Sequence, residues 1–131
     1  YSRTAFNMYG DNTFPRPTSF FEFKKGSVSV PQIAEEDVER INAFNHYCNE
    51  KGAHLVIAGY PIGFGEFTPP KKEYDEFQKE LEEKMDCDVI SDFKNYFIDY
   101  KYFYNTKYHL TDEGVRIRTA QLISDLKAWI N

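Results

Sequence analysis

A chain of 131 residues with 41% hydrophobic and 18% aromatic side chains can build the core of one domain but has no room for a second lobe, and that composition excludes a disordered chain. The net charge is −5, and the basic runs are no longer than Lys24-Lys25 and Lys71-Lys72. This excludes a surface that tracks nucleic-acid phosphates, which needs clustered Lys and Arg.

Residues 1–30 read as an irregular N-terminal segment. Gly10, Pro15, Pro17 and Gly26 interrupt any hydrophobic period there. Val28 and Val30 mark a short strand, and Phe20, Phe21 and Phe23 serve as anchors that lay the segment across the domain. Residues 31–131 then form a single α/β domain. A helix is predicted from Ala34 to Lys51, with Glu35, Glu36 and Asp37 in its first turn, Val38, Ile41, Phe44 and Cys48 on one face, and Gly52 as its stop. His54–Ala58 is short, apolar and flanked by Gly52 and Gly59, the pattern of a buried strand. A helix leading directly into such a strand predicts a parallel sheet with crossover helices.

Residues 59–70 read as a loop. A second helix follows from Lys71 to Met85 with Tyr74, Phe77, Leu81 and Met85 as its apolar stripe. Cys87–Ser91 is the next strand, and residues 92–110 read as an aromatic loop. The last helix starts at the N-cap Thr111, with Asp112 and Glu113 in its first turn; Val115, Leu122, Ile123, Leu126, Trp129 and Ile130 form the expected buried face. The two cysteines, Cys48 and Cys87, read as free thiols, or as a disulfide if their elements touch. No apolar run approaches the roughly 20 residues that cross a bilayer, and no signal peptide is visible.

Ligands of open parallel sheets bind in loops beyond the strands' carboxyl ends, here residues 59–65 and 92–110. Gly59, Gly63 and Gly65 match neither GxGxxG nor GxxxxGK[ST], so the first loop reads as tight turns beside a pocket. In the second, His109 precedes a helix N-cap. It is a candidate general base, or a structural histidine bonded to a carbonyl. Tyr96–Tyr108 packs a small sheet or stacks on sugar rings. His46 and His54 read as surface and structural residues. No Cys/His spacing indicates zinc, and Asp86, Asp88 and Asp92 form no calcium cage.

Tyr108-His109-Leu110, Gly114, Arg118-Thr119 and Leu122-Ile123-Ser124-Asp125-Leu126 together resemble the final block of SGNH (GDSL-like) hydrolases. Ile57-Ala58-Gly59-Tyr60-Pro61 is similar to the preceding strand and Pro-containing loop of that family, and Arg3, Phe6-Asn7 and Tyr9-Gly10-Asp11 resemble an upstream segment of bacterial members. The resemblance implies a flavodoxin-like fold, a small parallel sheet with flanking crossover helices, truncated here. It implies an esterase or acyl hydrolase that uses no cofactor and no metal, with His109 as base, Asn105 as the uncharged group positioned to hold it, and Tyr60, Gly63 and Tyr108 lining the substrate pocket.

Two features depart from the family. The Gly-Asp-Ser nucleophile block is absent; Gly10-Asp11-Asn12 is the nearest string, a coincidence, since asparagine cannot attack an ester. The family's acid stands three residues before the histidine, where this chain has Thr106, with Asn105 beside it. Asp92 or Asp99 substitutes if the loop folds back. The resemblance therefore implies the C-terminal part of an esterase whose serine lies upstream of Tyr1, inactive alone, acting on an acyl ester such as an acylated carbohydrate. The alternative is a non-catalytic domain that keeps the fold and binds carbohydrate or protein through Tyr102 and Tyr104. A third expectation is a homo-oligomer paired through an exposed sheet edge.

Overall fold

The structure, a computed structural model, describes residues 3–16, 29–65, 70–106 and 108–131. Two stretches of chain run side by side and carry its strands. The first holds β1 (Val56–Ile57) and β2 (Ile62–Phe64); the second holds β3 (Asp88–Val89) and β4 (Phe97–Asp99). β1 pairs in parallel with β3, Val56 opposite Asp88, and β2 pairs in parallel with β4, Gly63 opposite Ile98. The helices are α1 (Glu35–Glu50), α2 (Lys71–Lys84) and α3 (Asp112–Ile130). α2 is the connection between the two stretches, as parallel pairing requires. The fold is thus mixed α/β with two small parallel two-stranded sheets.

The three helices coincide with the predicted ones to within a residue or two. The strands do not: β1 and β3 are shorter than the predicted 54–58 and 87–91, and the loops predicted at 59–70 and 92–110 each contain a strand. Both breaks have local causes. Gly59, Tyr60 and Pro61 interrupt the first stretch, and Pro61 has no amide to donate to a ladder. In the second stretch the Asp92 carboxylate accepts the Lys94 amide at 2.9 Å and opens a 3-10 turn over Phe93–Tyr96. Val30 lies outside any strand. Val28, Phe20, Phe21, Phe23 and the Lys24-Lys25 pair fall outside the described residues.

The main core joins Val38, Ile62, Tyr74, Leu81, Met85 and Phe93. The predicted stripe of α2 therefore faces it. On α1, Val38 is buried, but Phe44 is 54% exposed and Asn45 takes the packed position. The reason is polar. Asn45 donates its amide to the Asp86 carbonyl at 2.9 Å, while Asn42 donates to the Lys84 carbonyl and accepts the Asp86 amide. These two side chains satisfy backbone groups where α2 passes into β3, groups that would otherwise be costly to desolvate. Cys48 and Cys87 are half-buried free thiols; burial, with the Asp88 and Asp86 carboxylates, pushes the Cys87 thiol up.

The predicted buried face of α3 needs correction. Val115, Leu122 and Leu126 are half-buried, but Ile123, Trp129 and Ile130 are exposed. A carboxylate fastens this helix instead. Asp125 accepts the Ser91 hydroxyl at 2.5 Å, the Tyr96 hydroxyl at 2.7 Å and the Gln121 amide at 2.8 Å. Tyr96 is 0% exposed, and burial together with the Asp125 charge raises its hydroxyl pKa, the Ser91 hydrogen bond and Arg118 pulling the other way. Burial pushes the Asp125 carboxyl up as well, but the three hydrogen bonds together outweigh it and hold it below the ordinary 3.8. Among the described residues no helix is long and apolar enough to cross a membrane.

Because the folded pKa of Asp125 lies below the unfolded one, its contribution is fully present above the ordinary carboxylate range. It is lost as pH falls through the folded value. Urea denaturation at stepwise lower pH is expected to show the midpoint dropping in acid. In Asp125→Asn the acid-dependent part of that drop should shrink, on a chain already destabilised at neutral pH.

Candidate functional site

His109 is positioned by its neighbour. Phe103 and Leu110 form an isolated antiparallel bridge, and both side chains are buried, with Ile98, in a second core cluster. Successive side chains of extended chain point to opposite faces. Leu110 points inward, and His109 is exposed. The Tyr104 amide donates to the His109 carbonyl at 3.0 Å, and the Thr111 amide donates to the Tyr102 carbonyl at 2.8 Å, so the loop is hydrogen-bonded on both sides of the bridge. Thr111 is the predicted N-cap; its Oγ1 accepts the Gly114 amide at 3.2 Å.

The ring itself has two partners. Its Nδ1 lies 2.8 Å from Asn105 Oδ1. Its face stacks on Tyr104, with centroids 5.7 Å apart and planes inclined by 27°. An amide oxygen only accepts, so the Asn105 contact calls for a proton on Nδ1 and leaves Nε2 of the neutral ring as an acceptor. Thr106, in the position where the resemblance calls for an acid, serves the turn instead: its Oγ1 accepts the Tyr108 and His109 amides at 3.1 and 3.2 Å. Asp92 and Asp99 do not fold back to His109. Each accepts an amide at the head of its own 3-10 turn, from Lys94 and Lys101 respectively.

His109, Tyr104 and Tyr108 line a cleft of about 500 Å³ whose other walls are Leu110, Val115, Arg118 and Thr119 of the α3 end, Pro61, and Asn12, Phe14, Pro15 and Arg16 of the N-terminal segment. Tyr108 is 63% exposed. The segment is folded locally: Asn7 Oδ1 accepts the Tyr9 and Asp11 amides, and Phe6 bridges Asn12. It is tied to α3 by an ion pair between Arg16 and Asp112 at 2.9 Å. Asn12 spends its side-chain oxygen on the Phe14 amide. A 3-10 turn at Arg3–Ala5, not a strand, leads into Gly10-Asp11-Asn12, so this string lacks the setting of a nucleophile block.

Two predicted pocket residues lie elsewhere. The ring of Tyr60 packs edge-on against Phe93, centroids 5.9 Å apart; burial and a hydrogen bond to Tyr60 raise the Tyr74 hydroxyl pKa. Gly63 is buried beneath the Tyr100 ring, which a Cβ at that position would meet at 2.5 Å. The glycines of this loop thus make room for aromatic rings of the second stretch, and Pro61 is its residue on the cleft. Ser91 is buried and engaged with Asp125, and neither Ser29 nor Ser124 lines the cleft. His46 lies on the exposed face of α1 beside Glu50, and His54 sits edge-on to Trp129. Among the described residues no three His, Cys, Asp or Glu side chains gather where a metal could be held.

The arginines were missed by sequence reasoning. Arg118 was visible only as part of a motif, though Val115, Arg118 and Thr119 recur at the spacing of one helix face. Nothing in the sequence ties Arg16 to a helix that begins 96 residues later.

Set against protein-family models, curated proteins and solved structures, the chain matches none of them.

Gly114 is buried, and a Cβ there would lie 2.6 Å from the Tyr102 carbonyl oxygen, the same oxygen that accepts the Thr111 amide. Gly114→Ala must push the His109 loop off the head of α3. Overpacking of this kind costs roughly 1–3 kcal/mol. Chemical denaturation should show a loss of that order, with the His109 ring resonances displaced.

Proposed function

We propose that this chain is the histidine-bearing C-terminal part of an SGNH-type ester hydrolase, flavodoxin-like in fold when complete, with His109 as general base. The observation that carries the reading is the Asn105–His109 contact at 2.8 Å on a ring at the rim of a cleft. Held by Nδ1, the imidazole offers Nε2 to a hydroxyl. In the proposed reaction a serine Oγ attacks the ester carbonyl as its proton passes to Nε2, and the imidazolium returns that proton to the departing alcohol. Tyr104 and Tyr108 supply flat apolar walls beside the reacting group.

Among the described residues no serine lines the cleft, and the reading takes its serine from a Gly-Asp-Ser block, a string these 131 residues do not contain. Asn105 orients the ring but carries no charge to stabilise the imidazolium. In a serine triad, exchanging Asp for Asn lowers turnover by roughly 10⁴. That amide specifically favours a second reading, a domain that binds carbohydrate or protein in the cleft and performs no chemistry.

Hydrolysis of p-nitrophenyl acetate separates the two. The chain alone is expected at background rate, whereas the polypeptide extended upstream through a serine block is expected to turn over. There, His109→Ala should drop the rate toward background, a triad histidine being worth on the order of 10⁶ in turnover when its acid is present, and Asn105→Asp should raise the rate. An extended polypeptide at background, or one indifferent to His109→Ala, would remove the hydrolase and leave the binding domain.

A further inference from the structure

The cleft differs in charge from the chain that forms it. The net charge is −5, yet the cleft's walls include Arg16, Arg118 and His109 and no carboxylate among the described residues. The two arginines are not equivalent. Arg16 is neutralised by Asp112 at 2.9 Å. Arg118 is half-buried on α3, and among the described residues no carboxylate pairs with it. The acid one helical face further along, Asp125, is already committed to Ser91, Tyr96 and Gln121.

A half-buried guanidinium keeps its head in water, so an anion entering the cleft meets a cation that no carboxylate of the described residues already holds. Its planar fork matches a carboxylate or phosphate with two parallel hydrogen bonds. We propose that the cleft recognises a ligand carrying a carboxylate or phosphate group, which Arg118 holds beside His109. The inference deepens the hydrolase reading by giving its substrate a negative charge; the binding step itself does not rest on that reading.

The wall chemistry fits such a ligand. Arg118 takes the anionic end. Tyr104 and Tyr108 cover the apolar remainder, and Thr119 adds a hydroxyl one residue from Arg118. Arg116 makes a control, since it is exposed on the same helix and does not line the cleft.

The test is titration of the chain with inorganic phosphate and, separately, acetate, followed by the ring resonances of His109 and Tyr104. Saturable shifts are expected, weakened at least about tenfold in Arg118→Gln, where charge and fork are both lost, and less in Arg118→Lys. Arg116→Gln should bind as the native chain does. Tighter binding of one anion names the group the cleft was built for. Shifts that do not saturate, or equal affinity in Arg118→Gln, would overturn the proposal. Ester hydrolysis by the extended polypeptide is measured separately with a neutral substrate, so either idea can fail while the other stands.

Discussion

The bridge between Phe103 and Leu110 is the constraint on which the site depends. Both side chains are buried, Phe103 at 0% exposure and Leu110 at 7%. Removing either from the core would sacrifice roughly 1.5–3 kcal/mol of apolar burial. That cost holds Leu110 against Phe103, and His109, the residue before it, lies exposed with its ring stacked on Tyr104. Asn105 and Thr106 refine the result, one through the ring nitrogen and the other through two backbone amides. The imidazole is thus held outward by apolar packing beneath it rather than by charge around it.

The scaffold behind that loop combines apolar packing with polar fasteners. α2 buries an apolar stripe in the main core. α1 adds two asparagines that satisfy the turn between α2 and β3, and α3 closes through Asp125. Buried polar networks are stabilising only when every member is satisfied, and among the described residues no buried side-chain polar atom lacks a partner. Fastening α3 through a carboxylate has a consequence for the cleft. With Asp125 engaged, Arg118 lines the cavity with no carboxylate partner among the described residues.

Helices were legible in the sequence because their signals are local. The acidic first turn of α1, the stripe of α2 and the Thr111 cap of α3 each lie within a few residues of what they determine. β2 and β4 were not legible, since Pro61 and the Asp92 cap divide each stretch into pieces of three residues, too short for a period to show. The same limit explains α3. Its apolar residues suggested a buried face, whereas the deciding contact joins Asp125 to Ser91 and Tyr96, residues 34 and 29 positions away. In the site, His109 and Asn105 were legible because they are four residues apart on one loop. Tyr60 and Gly63 were assigned by analogy to a pocket, while the space they occupy is filled by Phe93 and Tyr100.

The central claim is that Asn105 holds the His109 ring with Nδ1 protonated, leaving the other nitrogen able to accept a proton at the cleft. Long-range ¹⁵N–¹H correlation of the neutral imidazole tests this most directly. The account expects the hydrogen on Nδ1 and a pyridine-type Nε2 signal, reverting toward the usual mixture of tautomers in Asn105→Ala. A proton resident on Nε2, with Nδ1 accepting from the amide of Asn105, would contradict it.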